Sequence, residues 1–165
     1  MDLVAFFKNN WKHFAVIAAF FVLMLNFFGP EFDGFSLKQH DVEQHKGMSN
    51  EVAHHREMFD EEPLWTNAMF GGMPATQISV LYDGNLFQKG IIGFLRFFGV
   101  PSGIFLLHLL GFYILALCLK IRPTVAFIGA VAFAFATYEI VIIQAGHNSK
   151  AVTVALMAPV IGAFI

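Results

Sequence analysis

A single cysteine rules out a disulfide within the chain and a cysteine metal cluster, and Cys118 lies in an apolar run where it reads as a packing residue. Charge is scarce too. Asp, Glu, Lys and Arg make up 13% of the 165 residues, with a formal net charge of -2 and a pI near 6.4. No basic field is present to attract nucleic acid. Internal repeats, low-complexity tracts, a phosphate-binding GxxxxGK[ST] loop, an HExxH helix and a GxSxG elbow are all missing. What the chain has in excess is apolar side chain. Hydrophobic residues are 57% of it and 21 residues are Phe, more than a water-soluble fold this small can bury.

These residues gather into long runs. The first, about 11–28, crosses most of a bilayer at about 1.5 Å per residue if Trp11 anchors one interface. Asn26, Gly29 and Pro30 end it. Lys8 and Lys12 ahead of it resemble the flank of a secretory signal, but Gly29-Pro30-Glu31-Phe32-Asp33 is a poor cleavage site and further spans follow. An uncleaved first helix is expected. Further runs cover about 100–119, 124–143 with only Glu139 inside it, and 151–165, still apolar at Ile165, which reads as a helix cut midway. The expected fold class is therefore all-α, a polytopic transmembrane protein with a long loop, about 30–85, after its first helix. The residues at 86–98 carry Lys89 and Arg96 among apolar neighbours and are expected to form an interfacial or re-entrant helix.

Lys8 and Lys12 precede the first helix, and Lys120 and Arg122 fill the turn between the second and third, so both sets belong on the cytoplasmic side. The long loop and the 144–150 segment then share the opposite face. The loop carries ten acidic residues against Lys38, Lys46 and Arg56.

Within the loop, His40-Asp41-Val42-Glu43-Gln44-His45 is the densest polar cluster. On a helix His40 meets Gln44 and Asp41 meets His45, pairs that either decorate a solvated face or orient a carboxylate or divalent cation. His54-His55 and Asp60-Glu61-Glu62 read as surface. Gly71-Gly72-Met73-Pro74 demands a turn that bulky residues would not allow, and Trp65 and Tyr82 are candidate interface anchors. Glu139, near one end of an apolar helix, must face protein or a watery cavity, with Lys150 and His147 as expected partners. His147, Asn148, Ser149 and Lys150 then open the fourth helix, where free N–H groups, an imidazole and an ammonium make a seat for an anion such as phosphate, with Asn148 or Ser149 as the cap. His108, amid Leu, reads as a packed, hydrogen-bonded helix residue.

Taken in order, the first helix, the loop with its early Asp41 and Gln44, Trp65 ahead of Gly71-Gly72-Met73-Pro74, and Ala145-Gly146-His147-Asn148-Ser149-Lys150 resemble the bacterial YfhO-like membrane proteins, and the Bacteroidetes-type members in particular. That family is related to the multispanning glycosyltransferases of the GT-C fold. The likeness covers almost the whole chain as the N-terminal part of a longer protein, with the remaining helices of the full-length chain as its partners. It implies transfer of a sugar from a polyprenyl-phosphate-linked donor to a cell-envelope acceptor on the outer face of the bacterial inner membrane. It also implies Asp41 as catalytic carboxylate with Glu43 second and Asp33 as a further early acid. His147, Asn148 and Lys150 are implied near the donor phosphate, and Trp65, Gly71, Gly72 and Pro74 as residues that shape the site. Asp41 and Glu43 give D-x-E spacing where D-x-D would carry metal dependence over, so a divalent cation stands only as a candidate cofactor.

Two other readings belong beside this one. In a transporter or flippase for a lipid-linked or anionic substrate, Glu139, His147 and Lys150 line a pathway. In an assembly protein without chemistry, the polar motif only caps a helix.

Overall fold

The helix Val100–Cys118, α5 in chain order, is the element on which the larger part of the structure is assembled. The computed structural model describes the backbone at 3–78 and 84–165 and side chains from residue 8 onward; Tyr82 lies outside the described residues. Two compact units result, one made of Met1–Lys38 with Ile92–Ile165, the other of Gln39–Ile91. Among the described residues there are eight α-helices and one two-stranded sheet.

In the first unit α1 is Leu3–Phe27, α2 the single turn Gly29–Phe32, α6 Pro123–Ala134, α7 Thr137–Ala145 and α8 Asn148–Ala163. The helix α4, Leu86–Phe98, leads into α5 and starts where the Asn85 carboxamide oxygen accepts the N–H of Gln88 at 2.9 Å. Small residues let the helix backbones approach closely. Gly111 of α5 faces the carbonyl of Ala155 in α8, and seven residues further along both helices a Cβ at Gly162 would lie 3.0 Å from Cys118 Sγ. Contacts that advance together on both helices mean that α5 and α8 run parallel. The helix α1 runs the other way, because Phe20 packs on Tyr113 while Phe27 stacks on Phe105. So does α6, where Gly129 meets Phe112 and Phe135 meets Phe105.

The first helix starts at Leu3, so Lys8 and Lys12 lie within its first half rather than ahead of it, and this arrangement puts that half of α1 at the same end as the basic turn after α5. Trp11 and Lys12 share a groove with Pro123 and Thr124 there, and Phe28, Pro30 and Gln144 meet at the other end. The segment Lys8–Phe27 and the helix Val100–Cys118 are long and apolar enough to cross a membrane. The apolar run 124–143 is not one helix: α6 and α7 are separated at Phe135–Ala136 and bent by 48°, and the two together make a third span if they are one. Large apolar side chains such as Val22, Leu25, Ile128, Val141 and Val160 face outward, a surface that points to association with a membrane.

The second unit is built on α3, His40–Phe59, one helix of 20 residues. Strands β1, Trp65–Thr66, and β2, Met73–Pro74, pair antiparallel, with Trp65 opposite Pro74. The turn between them needs its glycines. Gly71 and Gly72 take φ of 75° and 119°, and a Cβ at Gly72 would lie 2.6 Å from the Trp65 indole nitrogen.

Candidate functional site

The sequence-derived candidates fall in both units. In the second, Asp41 is half-buried and Glu43 exposed in the first turn of α3, where carboxylates complement the helix dipole. Glu43 pairs with Lys46 at 2.8 Å, an exposed contact worth little. His45 does not meet Asp41 in the manner expected of a ligand pair; its Nε2 donates to the Ile78 carbonyl at 3.0 Å. The strand pair that holds Trp65 and Pro74 is tied to α3 by a residue that no motif singled out. Glu51 Oε2 accepts the Thr66 hydroxyl at 2.7 Å and the Asn67 N–H at 2.9 Å. The Thr66 bond, ahead of the Asn67 backbone bond, holds the Glu51 carboxyl below its ordinary value of 4.5. Asp33, in the first unit, is exposed at the end of α2. Among the described residues, no three His, Cys, Asp or Glu side chains converge to hold a metal ion.

In the first unit, α7 ends at Gly146, which takes the left-handed conformation at φ 96°, and the His147 N–H bonds back to Ile142 O at 3.0 Å. This Gly lets the chain turn at once into α8, which begins at Asn148 rather than at Ala151. His147 itself is the N-cap and makes no side-chain cap hydrogen bond, so neither Asn148 nor Ser149 is the capping residue. Lys150 is exposed, with its Nζ 5.2 Å from the centre of the Tyr138 ring.

Glu139 is not paired with Lys150 or His147. Its partner is His108, with Nε2 and Oε2 2.8 Å apart and both side chains sealed from solvent. The two atoms approach off the line of an ideal hydrogen bond, and neither has another hydrogen-bond partner among the described residues. His108 Nδ1 lies 2.8 Å from Ile104 O and must be the donor there, because a carbonyl only accepts. The expected local helix bond of His108 is thus present, but its other nitrogen serves the buried carboxyl of α7.

At the α2 end of this unit lies a pocket of about 330 Å³. Phe27, Phe28, Phe35, Ile140 and Ile143 make it mainly apolar; Glu31, Ser36 and Gln144 supply its polar groups. Glu31 is fixed by α5, since its Oε2 accepts the Ser102 N–H at 3.2 Å, one of the free donors at that helix start. Gln144, the last lining residue on α7, is three positions before His147 in the chain.

Comparison of the chain with protein-family models, with curated proteins and with solved structures finds no match in any of the three.

Proposed function

We propose that this chain belongs to a polytopic membrane glycosyltransferase of the YfhO-like, GT-C-related type, which transfers a sugar from a polyprenyl-phosphate donor on the outer face of the bacterial inner membrane. The observation that carries this reading is the apolar pocket whose α7 wall ends at Gln144, just before the start of α8. An isoprenoid tail needs an apolar groove, and its phosphate needs donors and positive charge at the end of that groove. For the second requirement the reading assigns His147 and Lys150, which follow the pocket residue Gln144 in the chain. The basic residues in the first half of α1 and in the turn after α5, gathered at the opposite end, favour an outward orientation for the pocket.

In this reading the acceptor hydroxyl oxygen forms a bond to the anomeric carbon while the bond from that carbon to the phosphate oxygen breaks. The hydroxyl proton passes to a carboxylate, for which the resemblance offers Asp41, and polyprenyl phosphate leaves; His147 and Lys150 are the residues the resemblance assigns to its charge. Asn148 donates toward the same phosphate. Trp65, Gly71, Gly72 and Pro74 keep the site-shaping role that the resemblance implies.

The test is sugar transfer from radiolabelled polyprenyl-phosphate sugars by the full-length protein in lipid nanodiscs. Asp41→Asn should abolish transfer while insertion and folding persist; wild-type transfer rates in that variant would sink the assignment. A second reading, transport of a lipid-linked or anionic substrate, is favoured by the buried His108–Glu139 pair, because ionisable groups inside apolar helices commonly mark a pathway. Vesicle flux without sugar release selects that reading.

A further inference from the structure

The break between α6 and α7 has no helix breaker to account for it. Ala134-Phe135-Ala136-Thr137 contains neither Pro nor Gly, and the apolar run gives way only to Thr137-Tyr138-Glu139 as α7 opens. Sharp helix kinks otherwise need an inserted side chain or a changed hydrogen-bond pattern. Here the bend of 48° is followed, within the first turn of α7, by the only acidic residue of the run, and that residue meets His108 across the helix interface.

We propose that His108 and Glu139 are positioning residues whose contact sets the α6–α7 bend and thereby the α7 wall of the apolar pocket. This role rests on the donor reading of that pocket only for its consequence, not for its geometry. His108 is held at Nδ1, which donates to Ile104 O, and its Nε2 is thereby aimed at Glu139 Oε2, 2.8 Å away. Phe133 of α6 lies against the same ring, 5.7 Å between centres, so the imidazole touches α6 and α7 from its seat in α5. Apart from His108, Glu139 Oε2 has no polar group within hydrogen-bond reach among the described residues, so the bent path that brings the two groups to 2.8 Å is the favoured one. Ile140 and Ile143, which follow Glu139 on α7, then face the pocket together with Gln144.

The test reads helix position directly in the full-length protein. With Cys118→Ala removing the native thiol, spin labels go on Ile114→Cys in α5 and Val141→Cys in α7, both at exposed positions. Their distance is measured by electron paramagnetic resonance in nanodiscs. Glu139→Ala strands the imidazole and carries a folding risk, so the deciding variant is the double H108L/E139L, which leaves no orphaned polar group and is expected to fold. The inference expects its label distance to move by about 1–2 Å or to broaden. Glu139→Gln, whose amide still donates to the ring nitrogen, should return the wild-type distance, a rescue that an apolar side chain of similar volume at position 139 would not give. A double variant with the wild-type distance overturns the positioning role. Photolabelling of the same samples by a polyprenyl phosphate probe separates the two ideas: a moved distance with unchanged labelling overturns the donor reading of the pocket and leaves the positioning of α7 standing.

Discussion

Glu31 lies over Gly99: its Oε2 accepts the Ser102 N–H at 3.2 Å, and its carboxylate fills the space that a Cβ at residue 99 would occupy. The carboxylate therefore caps α5 from another part of the chain, and it can do so only because residue 99 has no side chain and takes φ of 91°. Gly99→Ala adds both a clash and a left-handed alanine, and should cost about 1–3 kcal/mol. Glu31→Ala removes only the cap and the dipole partner, and should cost about 0.5–2 kcal/mol. Thermal unfolding in detergent measures both, and a Gly99→Ala variant as stable as wild type would contradict the packing described.

Gly111 sets the distance between α5 and α8. Its Cα faces the Ala155 carbonyl with no room for a methyl group, so Gly111→Val must push the helices apart. Overpacking of this kind costs about 1–3 kcal/mol. Gly29, with nothing within 4 Å of a built Cβ, gives the control: Gly29→Ala should be near neutral in the same unfolding assay. Equal losses for the two would remove the distinction between a packed and an open glycine.

The Glu51 carboxyl is held below 4.5 by the Thr66 hydroxyl and the Asn67 N–H, and the sign of its effect follows. A depressed carboxyl stabilises the fold above its unfolded value, and that contribution fades as pH falls through the lower, folded value. The β1–β2 pair should therefore stay attached to α3 at neutral pH and loosen only below pH 4.5, read as faster amide exchange at Asn67. In Glu51→Gln the Asn67 amide should exchange faster already at neutral pH, with no further acid transition. All these rates are taken relative to the intrinsic amide rate at the same pH, and wild-type protection of Asn67 that does not change between neutral pH and about pH 3 would count against the anchor.

Much of this architecture was legible from charge and glycine. The charge-free run that ends before Lys120 is α5, the one that follows Lys12 is the rest of α1, which itself starts earlier at Leu3, and Gly71-Gly72 is a turn because both glycines take positive φ. The α6–α7 break was not legible, since no Pro or Gly marks Phe135–Ala136 and Thr137-Tyr138-Glu139 alone does not end a helix. The partner of Glu139 was hidden for a related reason. Sequence proximity offers Lys150 and His147, whereas the register that brings α5 against α7 exists only after packing, and His108 amid Leu already has a local acceptor in Ile104. Glu51 belongs to no motif, and its role depends on where the strand pair lands. Placing Gly146 ahead of a second helix could be read from the chain, but the pocket before it is made by Phe27, Phe28 and Phe35 from a distant segment.

Lys150 separates a structural contact from a functional one. Its Nζ is 5.2 Å from the Tyr138 ring centre, an exposed cation–π contact worth about 0.5–1 kcal/mol. If that contact were its whole role, Lys150→Met and Tyr138→Leu should cost similar stability and leave lipid-phosphate binding alone. A phosphate partner behaves differently, because a charge-assisted hydrogen bond contributes about 1.5–3 kcal/mol, or roughly tenfold or more in affinity. Lys150→Met is therefore expected to weaken polyprenyl phosphate binding at least about tenfold at fixed salt, with Lys150→Arg retaining most of it and Tyr138→Leu changing it little. Equilibrium binding in nanodiscs, run beside thermal unfolding, gives both quantities. Loss of binding in Tyr138→Leu equal to that in Lys150→Met would mean that the ring, by orienting the ammonium, belongs to the phosphate seat; full binding in Lys150→Met would remove Lys150 from it.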